Sequence, residues 1–204
     1  MVVARLADGS LWIESPVPVS YATLTEIVAT GPVKYLLAGT PRHYWRLKPW
    51  HDLFPDAELW ACRTTLATVR HGKLPLAGTL REHPAAAWAE DFDQAIIAGS
   101  RLVKEVWYLH RPSRTLIVGD LIQVHPRTPG QRLLSAWWRA EGVAGPDGGT
   151  ARDMRLSFWD RKAARASVES VLAWDFDQLI MAHGPCVNTG AKSMVEKAFD
   201  WVLR

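Results

Sequence analysis

Cysteine is scarce in this chain. Cys62 and Cys186 are too few for a disulfide framework, and their spacing does not make a metal-ligand pair. Reduced thiols and a cytoplasmic protein are the expectation that follows. Long apolar runs are missing as well: no segment reaches the ~20 residues of a membrane span. The opening Met-Val-Val-Ala-Arg-Leu-Ala-Asp also lacks the apolar stretch of a signal peptide. Charge of one sign is not concentrated anywhere. With 24 Lys+Arg against 21 Asp+Glu and no basic run of five, neither nucleic acid nor a membrane surface is expected as a partner. No Gly-x-Ser-x-Gly elbow occurs, and neither cysteine has a base partner by sequence, so nucleophilic catalysis is not expected.

What is present is an ordinary globular composition, 48% hydrophobic over 204 residues. That length suits one domain spanning 1–204, able to bury roughly 70% of its unfolded surface. Eleven tryptophans are a surplus for the size and are read mostly as core or core-edge residues. The basic residues Arg155, Arg161, Lys162 and Arg165, interleaved with Asp153, Asp160 and Glu169, read as a solvated helix face.

In chain order, Ser10-Leu-Trp-Ile-Glu-Ser is a short strand stopped by Pro16 and Pro18. Ser20 caps a helix with Leu24, Ile27 and Val28 on one face, ended by Gly31-Pro32. Val33–Ala38 is a strand that empties into the loop Gly39-Thr-Pro-Arg-His-Tyr-Trp-Arg46. A helix over 48–54 and a strand at Glu58–Cys62 follow. Residues 63–91 read as loop with a helical piece near 63–70. Strands are expected at 92–98 and 103–109, and a turn at 110–114 leads into Leu116-Ile-Val118. An inserted segment, about 123–150, carries a short helix with Leu133, Leu134, Trp137 and Trp138 in a stripe. Such a stripe is usually core or a cap over the core, the alternative being a lid or partner surface. Met154–Phe158 reads as a strand, Asp160 caps an amphipathic helix with Ala164, Val168, Val171 and Leu172 inward, and a last helix runs from about 189 to 203.

Two stretches organise the rest. Leu116-Ile-Val-Gly-Asp120 is a buried strand ending in a carboxylate, and Leu179-Ile-Met-Ala-His183 repeats the design with a histidine. Together with Thr40 and His43 in the first loop, they resemble the metal-ligand motifs of the metallo-β-lactamase superfamily. The order of elements over residues 10–62 follows that superfamily too, through a Phe54-Pro-Asp-Ala57 turn. The chain also resembles a smaller bacterial branch of the superfamily whose own function is not established.

The resemblance implies an α/β (α+β) fold, a four-layer αββα sandwich with two mixed β-sheets. It also implies metal-dependent hydrolysis of esters, thioesters, lactams or phosphodiesters. Laid on the ligand motif, His43 matches the second histidine, whereas Pro41, Trp45 and Arg46 stand at the other ligand positions. The third-motif histidine has no counterpart near Gly99-Ser100-Arg101. What remains is His43, Asp120 and His183, a two-histidine, one-carboxylate set suited to one zinc or iron ion. Three readings follow: a hydrolase with a single-metal site for a small ester-like or phosphoester substrate, a metal-free Asp120–His183 acid/base pair, or a non-catalytic protein binding a ligand or partner through the cleft or the Trp137/Trp138 helix. In the last, no ion is bound, and Arg46 or Arg101 neutralises the Asp120 carboxylate. A small-molecule ligand and a homodimer are the partners left open. His51, His110 and His125 are expected at the surface or sheet edge, and Cys186 as an inert core thiol.

Overall fold

A computed structural model describes residues 1–63, 74–126 and 130–204. The chain divides into two compact units, Met1–Asp91 and Phe92–Arg204, each built on one mixed sheet.

The first unit has five strands in the order β1 (Val2–Arg5), β2 (Leu11–Glu14), β3 (Val33–Ala38), β4 (Glu58–Cys62) and β5 (Leu76–Leu80). β1 pairs antiparallel with β2, and the other pairings are parallel. Central β3 is buried from Tyr35 to Ala38, as expected of a parallel strand covered on both faces. Helix α1 (Tyr21–Ala29) begins where Ser20 Oγ accepts the Thr23 N–H at 3.1 Å. Its Leu24 and Ile27 pack on the core, but Val28 is exposed, so the inward face is narrower than its sequence suggests. Helix α2 (Leu47–Leu53) buries Leu47 and Trp50, and the Trp50 indole donates to the Val17 carbonyl at 2.9 Å.

β1 and β5 are additions to the sequence reading. Each is short, and β5 carries Gly78, which weakens any strand signal. The glycine has a packing reason: a Cβ there would stand 2.1 Å from the Trp60 ring. Trp60 and Tyr35 both meet Trp88 edge-on, at 5.0 and 5.1 Å between ring centres, which places three of the aromatic residues in one cluster. The helical piece expected near 63–70 falls almost wholly outside the described residues.

The second unit has the order β6 (Phe92–Ile97), β7 (Glu105–His110), β8 (Thr115–Gln123) and β9 (Gln178–His183). The first two pairings are antiparallel and β8 with β9 is parallel. Helix α3 (Arg132–Glu141) follows β8, then α4 (Arg152–Leu156), α5 (Arg161–Leu172), α6 (Ala191–Ala198) and α7 (Asp200–Leu203). Asp160 caps α5 by accepting the Ala163 N–H at 2.9 Å, and Ala164, Val168 and Val171 are its buried face. Arg165 pairs with Glu169 on the opposite, solvated side.

Three expectations for this unit are corrected. Where a strand is expected over Met154–Phe158, Arg152–Leu156 form a short helix, and Phe158 beyond it makes a single bridge to Ser100. The apolar residues of this stretch alternate, but those that are buried, Met154 and Phe158, are four apart, while Leu156 is 81% exposed. The stripe on α3 is not core: Leu133 is 90% and Trp137 57% exposed. Its fourth member, Trp138, turns inward against the core. Finally, the last helix breaks at Phe199, which is fully buried and separates α6 from α7.

Candidate functional site

Strand β8 does not stop at Asp120. Its register against β9 jumps from Val118 opposite Met181 to Gln123 opposite His183, so Gly119–Ile122 form an irregularity inside the strand. The bulge is held by Glu105 at the start of β7. This fully buried carboxylate accepts the backbone N–H groups of Gly119, Asp120 (2.8 Å) and Leu121 (3.1 Å), and the Trp107 indole N–H at 2.8 Å. Burial, and secondly the charge of Asp120, push the Glu105 carboxyl up to about 7.

So aimed, Asp120 meets His183. The carboxylate is 2% exposed, and its Oδ1 lies 3.0 Å from His183 Nε2 at the end of β9, whose side chain is about half exposed. The parallel pairing of β8 with β9 is what brings together these two residues, 63 positions apart.

His125 adjoins this pair, which corrects its expected place at the edge. Its ring lies 6.2 Å from that of His183 and is stacked flat on Trp138, 3.8 Å between centres and 7° between planes. Gln123 fixes the ring. Its Nε2 donates to the Asp120 carbonyl at 2.8 Å, which turns Oε1 toward His125 Nε2 at 2.9 Å. The proton on the imidazole therefore sits on Nε2. Burial, with His183 alongside, lowers the His125 pKa from its ordinary value, favouring the neutral ring. His125 and His183 together flank a cavity of about 720 Å³.

His43 is in the first unit. Thr40 Oγ1 accepts the N–H groups of Arg42 and His43, both at 3.2 Å, which shapes the loop after β3. Ser15 Oγ lies 3.2 Å from His43 Nδ1 and donates to Glu14 Oε1 at 2.7 Å. Glu14, the acidic end of β2, also receives the Gly39 N–H at 2.9 Å. The sequence places Glu14 in that strand but does not reveal its grip on the loop.

The other candidates are accounted for elsewhere. Arg46 lies over the Trp45 ring and Arg101 over the Trp159 ring, each at 4.5 Å, as cation–π pairs. His110 packs near Phe92 and lies 2.8 Å from Ser113 Oγ. His51 is on α2. Cys186 is exposed, not a core thiol, whereas Cys62 is buried.

Glu105 is the residue sequence reasoning missed. An acidic side chain inside an apolar strand was the available signal, because a charge is almost never fully buried without partners.

Two donors of one tetrahedral zinc ion, each bound at about 2.0–2.2 Å, stand roughly 3.3–3.6 Å apart. Asp120 and His183, hydrogen-bonded at 3.0 Å, need to part by only a few tenths of an ångström to reach that spacing, and both donor types suit zinc or iron. A family model described as "Domain of unknown function (DUF4336)" matches residues 1–136. The chain belongs to the DUF4336 family. The matched stretch contains His43 and Asp120, and His183 lies beyond it. Comparison with curated proteins gives no match.

Solved structures show which fold this DUF4336 chain has. DIM-1 metallo-β-lactamase superposes with a TM-score of 0.63 at 13% identity, over 98% of this chain and 85% of that one. A metallo-β-lactamase from Hirschia baltica gives 0.60 at 14%, over 99% and 84%. The chemotaxis sensor ODP, solved as a peroxy diiron species, gives 0.57 at 12%, over 96% and 82%. At such identities the likeness shows the fold alone. The α/β architecture with two mixed sheets expected from the motifs is therefore the one observed. Among the described residues no helix is long and apolar enough to cross a membrane.

Proposed function

We propose that this protein is a divergent metallo-β-lactamase-fold hydrolase with a reduced, single-metal site, acting on a small ester-like or phosphoester substrate. The observation that carries the reading is the Asp120–His183 pair, aimed by Glu105 and set at the rim of a cavity of small-molecule size. Asp120 and His183, both in the second unit, would hold the ion. When bound, zinc or iron(II) acts as a Lewis acid that polarises the ester oxygen and acidifies water.

The protein's own groups do the remaining work. Glu105 holds the Asp120 backbone, so the carboxylate presents a fixed oxygen. Gln123 ties the Asp120 carbonyl to His125 and keeps that ring in one orientation. In the net reaction water adds across the ester: its oxygen bonds to the acyl carbon or phosphorus, the bond to the leaving oxygen breaks, and the departing alcohol takes the second proton.

Incubation of the zinc- or iron-loaded protein with 4-nitrophenyl butyrate and with 4-nitrophenyl phosphate diesters tests the reading. Turnover abolished by Asp120→Ala supports it. No turnover of any ester, thioester or phosphodiester by a fully loaded protein removes it. One observation favours a second reading, a non-catalytic binding protein: Leu133 and Trp137 present apolar surface to solvent beside Trp138, which stacks on the cavity-lining His125.

A further inference from the structure

The cavity beside His183 is defined by what lines it. Val124, Pro126, Pro146 and Pro185 make apolar walls, and His125 and His183 are the side chains able to hydrogen-bond. Among the described residues lining it there is no lysine or arginine. A phosphate anion placed there would lose water without gaining a counter-charge from these described lining residues, a cost that burial of a charge incurs unless it is paired. A neutral apolar group meets no such cost and gains about 25 cal/mol for each Å² withdrawn from water.

The walls are also rigid. Three are prolines, with one backbone dihedral fixed. His125 is clamped between Gln123 at 2.9 Å and the face of Trp138 at 3.8 Å, and Gln123 is itself tied to the Asp120 carbonyl. A cavity that does not reorganise binds a complementary shape without an ordering cost. Its volume, about 720 Å³, is that of a small-ligand pocket. His183 belongs both to this lining and to the Asp120 pair, so a group seated here lies directly against the candidate centre.

We infer that this cavity holds the uncharged, apolar acyl or alkyl group of an ester substrate and does not take an anion such as a free phosphate. Naming it an ester rests on the hydrolase reading above. The preference of the cavity for a neutral apolar group rests on its lining alone.

The test uses the metal-free wild-type protein, titrated with N-methylhexanamide, a neutral analogue that is not hydrolysed like an ester, and in parallel with diethyl phosphate. Binding is read from the imidazole resonances of His125 and His183. The amide is expected to shift both sets, and diethyl phosphate neither. Pro185→Glu and Pro126→Glu place a carboxylate at exposed positions of the lining, and each is expected to weaken amide binding at least tenfold. Diethyl phosphate binding more tightly than the amide, or amide binding indifferent to both substitutions, overturns the proposal. Metal content, measured on the same preparation after reconstitution, separates the two readings. Protein that binds the amide but takes up no ion loses the hydrolase reading and the ester assignment, and keeps the apolar preference of the cavity.

Discussion

Glu105 and Asp120 are two acids in contact, and the first holds the second through its backbone. The Asp120 N–H donates to Glu105 Oε2 at 2.8 Å, and the flanking N–H groups of Gly119 and Leu121 converge on the same carboxylate. A β-bulge leaves ladder groups unsatisfied. Here a side chain from the neighbouring strand takes three of them, and in doing so fixes where the Asp120 carboxylate points.

Replacing Glu105 by Gln puts an amide NH₂ where two of four donors need an acceptor. Each buried donor left without one costs about 1–3 kcal/mol, so Glu105→Gln is expected to lower stability by roughly 3 kcal/mol near pH 5. At that pH the carboxyl is protonated, and its single O–H displaces fewer donors than an NH₂ does. Metal affinity should fall as well, by roughly 10–100-fold, the range seen when groups that orient ligands are removed. Urea unfolding and zinc titration check the two effects. A variant with wild-type stability and affinity would show that Glu105 holds nothing of consequence.

The same residue sets a pH dependence. Its folded-state pKa of about 7 lies above the ordinary 4.5, so the folded chain holds this proton more tightly than the unfolded one. The contribution to stability is fully present below about pH 4.5 and is lost as pH rises through about 7, on the order of 3 kcal/mol in all. The metal-free wild type should therefore lose its advantage over Glu105→Gln between pH 5 and 8. Urea midpoints of both proteins across that range provide the check. A difference that grows with pH would contradict the assignment.

Adjacent tryptophans on α3 should behave oppositely. Trp138 packs on the core and stacks on His125, so Trp138→Ala is expected to cost about 2 kcal/mol and to shift the His125 resonances. Trp137 is mostly exposed, and Trp137→Ala should change stability by less than about 0.5 kcal/mol. Equal effects from the two would mean that α3 is not seated as described.

The sequence made the fold legible where a local pattern and a tertiary role coincide. Val33–Ala38 and Leu116–Val118 are apolar on both faces because they are central strands, and Ser20 and Asp160 are capping residues that do cap. It misled where two periods compete. Met154 and Phe158 alternate with polar residues yet are spaced four apart, and burial followed the helical spacing. His183 was readable as a strand-end residue, whereas Asp120, read as one too, sits in an irregularity of a strand that runs on to Gln123, and parallel pairing joined the two. Glu105 and His125 were not, because their roles depend on a bulge and on a stacking partner 13 residues along, which no local pattern encodes.

Metal stoichiometry bears hardest on the proposed function. Protein purified without a polyhistidine tag, reconstituted with zinc or iron(II), desalted and analysed for elements, should carry about one equivalent of metal. Asp120→Ala and His183→Ala should each carry almost none. Wild-type protein that retains no metal after reconstitution, or variants that retain as much as wild type, would contradict a centre built on Asp120 and His183.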